Sequence, residues 1–468
     1  MATSRGDADF LVKTTEFLQW LQQRPGTAIS PKIQIADLRE QYAGRGIIAT
    51  EVIEKDEELF SIAHSSILTT HNSDLQTFKP AILERLDAWN SLVLVMIYED
   101  GLREKSTWWP YLNILPRDFD TLIYWSSDEL AELQGSAVLD KIGKTDADES
   151  FKKCLLPLVQ QNAEIFGHHA QAFAGTDAES ALLGLAHRMA TLIMAYGFDL
   201  EAGSSTSGDE DEDEADGSSQ SAYELNKGMV PLADLFNADG DLNNAHLLQQ
   251  ENSMTMIALK SIRKGQQIFN DFGQLPRSDL LRRYGYVTDN YKRWDVVEVD
   301  IETVTKAAGE HNTLNEKEKN ERLDLTAKWE VLQDGYDLTR STANQAFEFD
   351  RALVLTITAL LLDSEEFTEA LEDPTEQQPP PSLRMPLALV LRRIISSRQS
   401  AYRTTTAEDA TLLEDADVQR RRRMAIEVRL GEKEILAEAA GEVEKRIAKL
   451  GSATEQEQGT SHAKMGRF

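Results

Sequence analysis

The sequence predicts an α+β protein: a split β-rich domain with a helical insert, followed by an all-α domain. Three observations predict it. Strand-and-turn segments concentrate in two blocks, near residues 30–70 and 225–295. The stretch between them repeats apolar residues at three- and four-residue intervals, which is the helical period. That period returns beyond about residue 300. The organisation read from this is an N-terminal helix over 1–29, a first β block over 30–74, a helical insert over 75–224, a second β block over 225–295, and a helical domain with a polar tail over 296–468.

Taken in order, residues 10 to 21 form an amphipathic helix with Phe10, Phe17, Leu18 and Leu21 near one face, and "RPG" ends it. "IQIADLREQYAGRGIIATEVIEKDEELFSI" reads as short strands around a Gly-rich turn, Gly44-Arg45-Gly46. Its second half is a strand, a charged turn and a strand. The same grammar returns as "SMTMIALKSIRKGQQIFNDF", where Ile262-Arg263-Lys264-Gly265 matches Ile53-Glu54-Lys55-Asp56. Both read as β-hairpins. Between the blocks, "AILERLDAWNSLVLVMIYEDGL" and "ALLGLAHRMATLIMAYGF" are helical, the second stopping at Gly197. "STWWPYLNILP" is an aromatic-rich connection read as packing. Residues 201–221, "EAGSSTSGDEDEDEADGSSQS", hold no basic residue and almost nothing apolar. They read as a disordered loop, with docking of a basic partner as the alternative. In the last domain "FEFDRALVLTITALLL" puts Leu353, Ile357, Leu360 and Leu361 on one helical face, and "DPTEQQPPPSLRMP" is a Pro-rich connection. Arg420 to Arg423 read either as a nuclear-localisation patch or as a solvated helix face.

Composition narrows the function. The chain has 468 residues, enough for two or three domains, and is 41% hydrophobic and 27% charged, as soluble globular proteins are. No apolar run approaches the ~20 residues of a membrane span, so no membrane partner is expected. The first residues lack the apolar core of a signal peptide. One cysteine, Cys154, excludes an intrachain disulfide framework and fits a reducing compartment, nucleus or cytoplasm. His168 and His169 have no Cys or His neighbours at ligand spacing, so they read as surface histidines and no metal is expected. Lys plus Arg number 49 against 79 Asp plus Glu, a net charge of −30. Such a chain repels phosphate backbones, so no direct nucleic-acid ligand is expected. A basic protein partner fits the charge, and so does simple solubility. Nothing in the sequence gives an oligomeric state.

No Walker loop, GxSxG or HExxH is present, and no GxGxxG lies between a strand and a helix. The common nucleotide, serine-hydrolase and zinc-protease readings are thereby removed. Three features remain: the Gly-Arg-Gly turn, the polar elbow at Asn237 in "MVPLADLFNADGDLNNAHL", and "FNDFG…LLRRYGY". A Gly turn lets backbone approach a small ligand closely. Asn and backbone at an elbow can read an adenine edge. Clustered aromatics can wall a narrow channel for an alkyl stem.

On these segments the chain resembles the SET-domain lysine methyltransferases of the RuBisCO large-subunit methyltransferase class, and within it the fungal ribosomal lysine methyltransferase branch. "AGRGIIATEVIEKDEELFSI" resembles the first SET block, "MVPLADLFNADGDLNNAH" the Asn-His region and "IFNDFGQLPRSDLLRRYGYV" the closing block. "AYRTTTAEDATLL" and "AIEVRLGEKEIL" resemble the helical substrate-binding domain. The resemblance implies a knot-like crossing against which S-adenosylmethionine sits, and no metal. It implies that Ala43, Gly44 and Arg45 form the first cofactor-binding turn. Asn237 matches the Asn of the Asn-His pair, with Ala238 where His is usual. Tyr284 matches the aromatic packed beside the cofactor. Tyr196, Gly197, Phe198 and the carbonyl of Asp234 match the lysine channel. Phe272 stands where a tyrosine hydroxyl usually orients the lysine amine; it can wall the channel but makes no hydrogen bond. The implied function is methylation of lysine in a basic protein, with a ribosomal protein as the implied substrate. Phe272 and Ala238 keep open a SET-fold binding module with weak or no catalysis, and methylation of another residue type also stays open.

Overall fold

A computed structural model describes residues 5–200, 226–342, 346–372 and 379–465; the acidic tract 201–221 lies outside the described residues. The chain divides into two compact units, Met1–Thr121 with Gly143–Gly273, and Leu122–Ile142 with Gln274–Phe468. Residues 122–142 of the insert and 274–295 of the second β block therefore belong to the second unit. No helix among the described residues is long and apolar enough to cross a membrane.

Among its described residues the first unit holds nine strands: β1 (Ala28–Ile29), β2 (Ile33–Asp37), β3 (Arg45–Ala49), β4 (Glu58–Ala63), β5 (Gly197–Leu200), β6 (Asn226–Met229), β7 (Ala245–Gln249), β8 (Ser253–Ala258) and β9 (Gln267–Ile268). They form sheets of order β1-β4-β8-β7, β2-β3-β9 and β5-β6. The two expected hairpins are not hairpins. β3 and β4 lie in different sheets, as do β8 and β9. Instead the two segments pair antiparallel with each other along their whole length. Ser61 faces Thr255, Ile53 bridges Ile262, and Ile47 faces Ile268. At the bridge Ile53 N–H donates to Ile262 at 3.0 Å and Ile262 N–H returns a bond of 2.9 Å. The reason is geometric. Residues 50–57 and 259–266 are eight-residue connections, longer than the two to five of a tight hairpin. Asp56 and Gly265 adopt φ of 65° and 82°, which turns each chain at a corner. The repeated grammar marks two matching corners, stacked on one another.

The core is built on the helix Ala88–Leu102, which is apolar on every side; Leu92 to Ile97 are all fully buried. Asp87 caps its start by accepting from Asn90 N–H at 2.7 Å. Its end carries two buried acids. Glu99 accepts from Ser73 and Ser106 at 2.6 and 2.5 Å. Asp100 meets His169 at 3.0 Å and accepts from Arg188 at 3.2 Å. His169 is therefore not a surface histidine; it is buried because Asp100 needs it as a partner. The N-terminal helix runs Arg5–Gln22 and buries Phe17 and Leu21.

The second unit is helical, with one antiparallel ribbon that the helical periodicity conceals, Val296–Asp300 against Gly335–Thr339. Leu353, Ile357, Leu360 and Leu361 are buried on one helix. A charge cluster fixes its long final helix. Asp409 is fully buried and accepts from Arg429 Nε and Nη2 at 3.0 and 2.8 Å and from Lys433 at 2.5 Å. Arg429 also donates to Glu132 at 2.9 Å. Arg421 reaches Glu129 and the Tyr124 carbonyl, Arg422 pairs with Glu132, and Arg423 donates to the Asp415 carbonyl. The arginine run is thus engaged within its own unit. Removing the cluster's acid leaves buried Lys433 without its carboxylate and Arg429 with Glu132 alone. Asp409→Ala is expected to cost about 3–5 kcal/mol in denaturant unfolding followed by a probe in this unit.

Candidate functional site

The first element of the site is the turn between β2 and β3. Tyr42 and Gly44 adopt φ of 59° and 61°, and the turn is closed by Leu38 N–H to Gly44 at 2.8 Å and Ala43 N–H to Leu38 at 3.1 Å. Of the expected turn residues Ala43, Gly44 and Arg45, the first two lie there, and of Gly44-Arg45-Gly46 only Gly44 does. Arg45 and Gly46 open β3, facing Asp37 and Ala36. A Cβ on Gly44 would meet no atom within 4 Å, so its backbone is open to a ligand. Gly46 has a different task. A Cβ there would lie 2.4 Å from Leu38 and 2.8 Å from Asn237 Nδ2. Its absence makes a seat for the Asn237 amide, which donates to the Arg45 carbonyl at 3.3 Å. The Arg45 side chain turns the other way. It bonds Thr14 and the Ile114 carbonyl at 3.0 and 2.9 Å and lies 3.9 Å over the Phe10 ring. Burial lowers its pKa to about 10.

The second element is a crossing. Asn237 accepts from Asn270 N–H at 2.9 Å, and Asp239 N–H donates back to Asn270 at 3.2 Å. This makes a parallel bridge of Ala238 to Asn270. In such a bridge the flanking residues carry the bonds, so Ala238's own N–H and C=O face the opposite side. Further on, Asn244 Oδ1 accepts from Phe269 N–H at 2.8 Å while Asn244 and Ala245 N–H both donate to Phe269 at 3.0 Å. Residues 267–270 are thus laced to both ends of the loop 237–245. Asn270 is buried; Phe272, two residues on, is half-buried.

The third element is a buried aromatic corner. The helix Ala178–Tyr196 must stop at Gly197, where a Cβ would lie 2.5 Å from the Ile193 carbonyl. Gly197 and Phe198 then pair with Met229 and Gly228. Past β6 the chain reaches buried Leu232 at φ 76°, a strained value for a branched side chain. Asp234 follows, 9% exposed. Its Oδ2 accepts from the Tyr111 hydroxyl at 2.6 Å. Its Oδ1 is buried and has no partner among the described residues. Burial raises its pKa to about 7. Burial, and then the charge of Asp234, raises Tyr196 to about 12.

Tyr111 is the residue that the sequence reading passed over as packing. It does pack, stacked on Trp20 at 6.4 Å, but its hydroxyl anchors Asp234. The available signal was the lone acid in "MVPLADLF", which needs a donor if buried. Tyr284 ends the helix Arg277–Tyr284 in the second unit, with Gly285 at φ 76°, and its ring meets Tyr286 edge-on at 6.4 Å. The candidate residues brought together in the first unit are Gly44, Arg45, Asn237 and Ala238 at the crossing, and Tyr196, Gly197, Phe198 and Asp234 at the corner.

Two family descriptions match the chain: SET domain over residues 44–273, and Rubisco LSMT substrate-binding over 319–436. The first ends where the first compact unit ends. Ribosomal lysine N-methyltransferase 4 of Saccharomyces cerevisiae is 35% identical over 309 residues, covering 64% of this chain and 61% of that protein. The protein of the same name in Schizosaccharomyces pombe is 28% identical over 72% of this chain and 80% of its own. N-lysine methyltransferase SETD6 of Bos taurus is 25% identical over 93% of this chain and 96% of its own. Among solved structures, the SET domain of LSMT bound to lysine and AdoHcy shares the fold, with a TM-score of 0.67 at 20% identity over 94% of this chain and 92% of that one.

The raised Asp234 carboxyl has a stability signature. An acid at 3.8 unfolded and about 7 folded keeps its proton in the folded state while the unfolded chain loses it. Stability is therefore lost as pH rises from about 4 to about 7 and stays lower above. Asp234→Asn keeps an acceptor for Tyr111 without the charge. Its melting temperature relative to the unsubstituted protein is expected to rise across that window, by the equivalent of roughly a few kcal/mol.

Proposed function

We propose that this chain, which belongs to the SET-domain family and joins that domain to a Rubisco LSMT substrate-binding domain, is an S-adenosylmethionine-dependent protein-lysine N-methyltransferase acting on a basic protein of the ribosome. The observation that carries the reading is the crossing, where Asn237 seated on Gly46 is laced to residues 269–270. The likeness to the two yeast proteins supports a ribosomal substrate, and the net charge of −30 supports a basic one. We place the protein in the nucleus or cytoplasm, on its single cysteine.

The residues present fit the cofactor. Gly44 offers open backbone, and Ala238 offers free-facing backbone polar groups beside a small side chain. Ala43, Gly44, Arg45, Asn237 and Ala238 would hold it through backbone. When bound, it supplies the sulfonium methyl group. The chain's own work is to align the amine and exclude water, which is where most of the rate arises. Tyr196, Gly197, Phe198, Phe272 and the Asp234 carbonyl wall the channel. Phe272 contributes shape and no hydroxyl. A missing preorganised hydrogen-bonding group costs about 2.7–4 kcal/mol in a transition state, by analogy with oxyanion-hole donors.

Titration calorimetry of the purified protein with S-adenosylmethionine is expected to show one-site binding. A folded sample giving no heat at high micromolar cofactor contradicts the reading. Phe272→Tyr is expected to raise the methylation rate or change the number of methyl groups added, with little loss of stability, whereas Phe269→Tyr leaves both unchanged. Mass spectrometry of the product over time checks this. An unaltered rate and product for Phe272→Tyr would place the amine elsewhere.

A further inference from the structure

The turn between β2 and β3 has no core of its own. None of residues 39–44 is buried, and Tyr42 and Gly44 both sit at left-handed φ, 59° and 61°. A short exposed segment with two such residues opens readily unless something outside it holds it shut. The bonds from Leu38 and Ala43 N–H tie the turn only to itself. The outside support is the N-terminal helix Arg5–Gln22, which precedes the SET-domain match at 44–273.

One ring joins the two ends of the turn. Arg39 opens it and Arg45 leaves it. The Phe10 ring centre lies 4.2 Å from the guanidinium carbon of Arg39 and 3.9 Å from that of Arg45. Both distances are well inside the reach of a cation–π contact. Two guanidiniums sharing one ring repel each other, and Asp37 offsets this. It faces Arg45 across the β2–β3 ladder and accepts from Arg39 Nε and Nη2 at 2.9 and 2.6 Å. Arg45 donates from Nε to Thr14 Oγ1 at 3.0 Å and from Nη2 to the Phe10 carbonyl at 3.4 Å. The Thr14 hydroxyl donates to that same carbonyl at 2.7 Å. Further along the helix, Phe17 and Leu21 are fully buried and Trp20 Nε1 donates to the Thr107 carbonyl at 2.8 Å. The helix therefore has one end fixed in the core and the other laid on the turn.

We infer that Phe10 and Thr14 are positioning residues for S-adenosylmethionine: through Arg39 and Arg45 they hold residues 39–44 in the shape that presents the open backbone of Gly44. The inference rests on the reading of this turn as a cofactor site. Both residues act through the turn, so their effect is a coupling, and coupling between two binding events is reciprocal. If the docked helix favours the cofactor, the bound cofactor favours the docked helix by the same factor. The N-terminal helix is then a working part of the site.

Calorimetry with S-adenosylhomocysteine tests the first direction of the coupling. Phe10→Ala is expected to weaken binding about tenfold, through loss of the ring's two cation contacts. Phe10→Leu keeps apolar bulk without a π face and is expected to weaken it nearly as much. Phe10→Tyr keeps the ring and is expected to bind within about threefold of the unsubstituted protein. Thr14→Val keeps the shape but takes the acceptor from Arg45 Nε, and weaker binding is expected there too. Leu11→Ala, at an exposed position of the same helix, is expected to leave affinity unchanged. Hydrogen exchange tests the other direction. Saturating S-adenosylhomocysteine is expected to slow amide exchange over residues 9–16 of the unsubstituted protein, and to slow it less in Phe10→Ala. A Phe10 that only packs would lower Tm and leave affinity alone. A lowered Tm with unchanged affinity therefore overturns the inference, as does Phe10→Tyr binding no better than Phe10→Leu, or exchange over residues 9–16 that ignores the cofactor. If Phe10→Ala does not fold, the contrast between Phe10→Leu and Phe10→Tyr decides. A folded unsubstituted protein that binds no S-adenosylhomocysteine overturns the reading of the turn itself, and the inference with it.

Discussion

The antiparallel pairing of residues 45–63 with residues 253–268 is the constraint on which the first unit depends. It joins segments about two hundred residues apart, so its closure entropy has to be met by many contacts formed together. The ladder supplies them in three places: β4 on β8, the Ile53–Ile262 corner, and β3 on β9. Register is strict. Ile47, Ile53, Ile262 and Ile268 are all fully buried, and a slip of one residue would turn their faces to solvent. The helix Ala88–Leu102, apolar all round, completes the core of the same unit.

Everything at the crossing follows from that ladder. β9 lies on β3, which puts residues 269–270 in reach of the elbow, and the missing Cβ of Gly46 lets the Asn237 amide settle onto β3. The aromatic corner is held by a different device. Gly197 permits an abrupt helix end, Gly228 permits close packing of β6 against Ile67 and Thr69, and Tyr111 fixes Asp234 from a helix far away in sequence. Two glycine-lined approaches and one hydrogen-bonded acid therefore shape a site from four separate stretches of chain.

Local signals were legible in the sequence, and pairings were not. The stop at Gly197 and the buried stripe of Leu353, Ile357, Leu360 and Leu361 follow from helical period and glycine chemistry, which act within a few residues. The matching turns at Ile53 and Ile262 were visible too, but each was read as closing on itself. Nothing local says that two similar corners pair with each other. Tyr111 and Asp234 are 123 residues apart, so a composition reading sees only an aromatic run and a lone acid. His169 was misassigned for the same reason, since its need for burial lies in Asp100. The ribbon Val296–Asp300 with Gly335–Thr339 escaped because each strand has only five residues amid helical periodicity. The first compact unit ends at Gly273, while the second β block reads in sequence to 295, because the helix carrying Tyr284 follows that block in sequence and belongs to the second unit.

Transfer of a methyl group onto lysine is the work proposed for this geometry. The most direct measurement is incubation of the purified protein with methyl-labelled S-adenosylmethionine and a ribosomal-protein fraction, followed by mass spectrometric mapping of the label. Label is expected on a lysine Nζ of a basic protein. Label confined to another residue type, or a protein that binds the cofactor and transfers nothing to any basic protein, would contradict it.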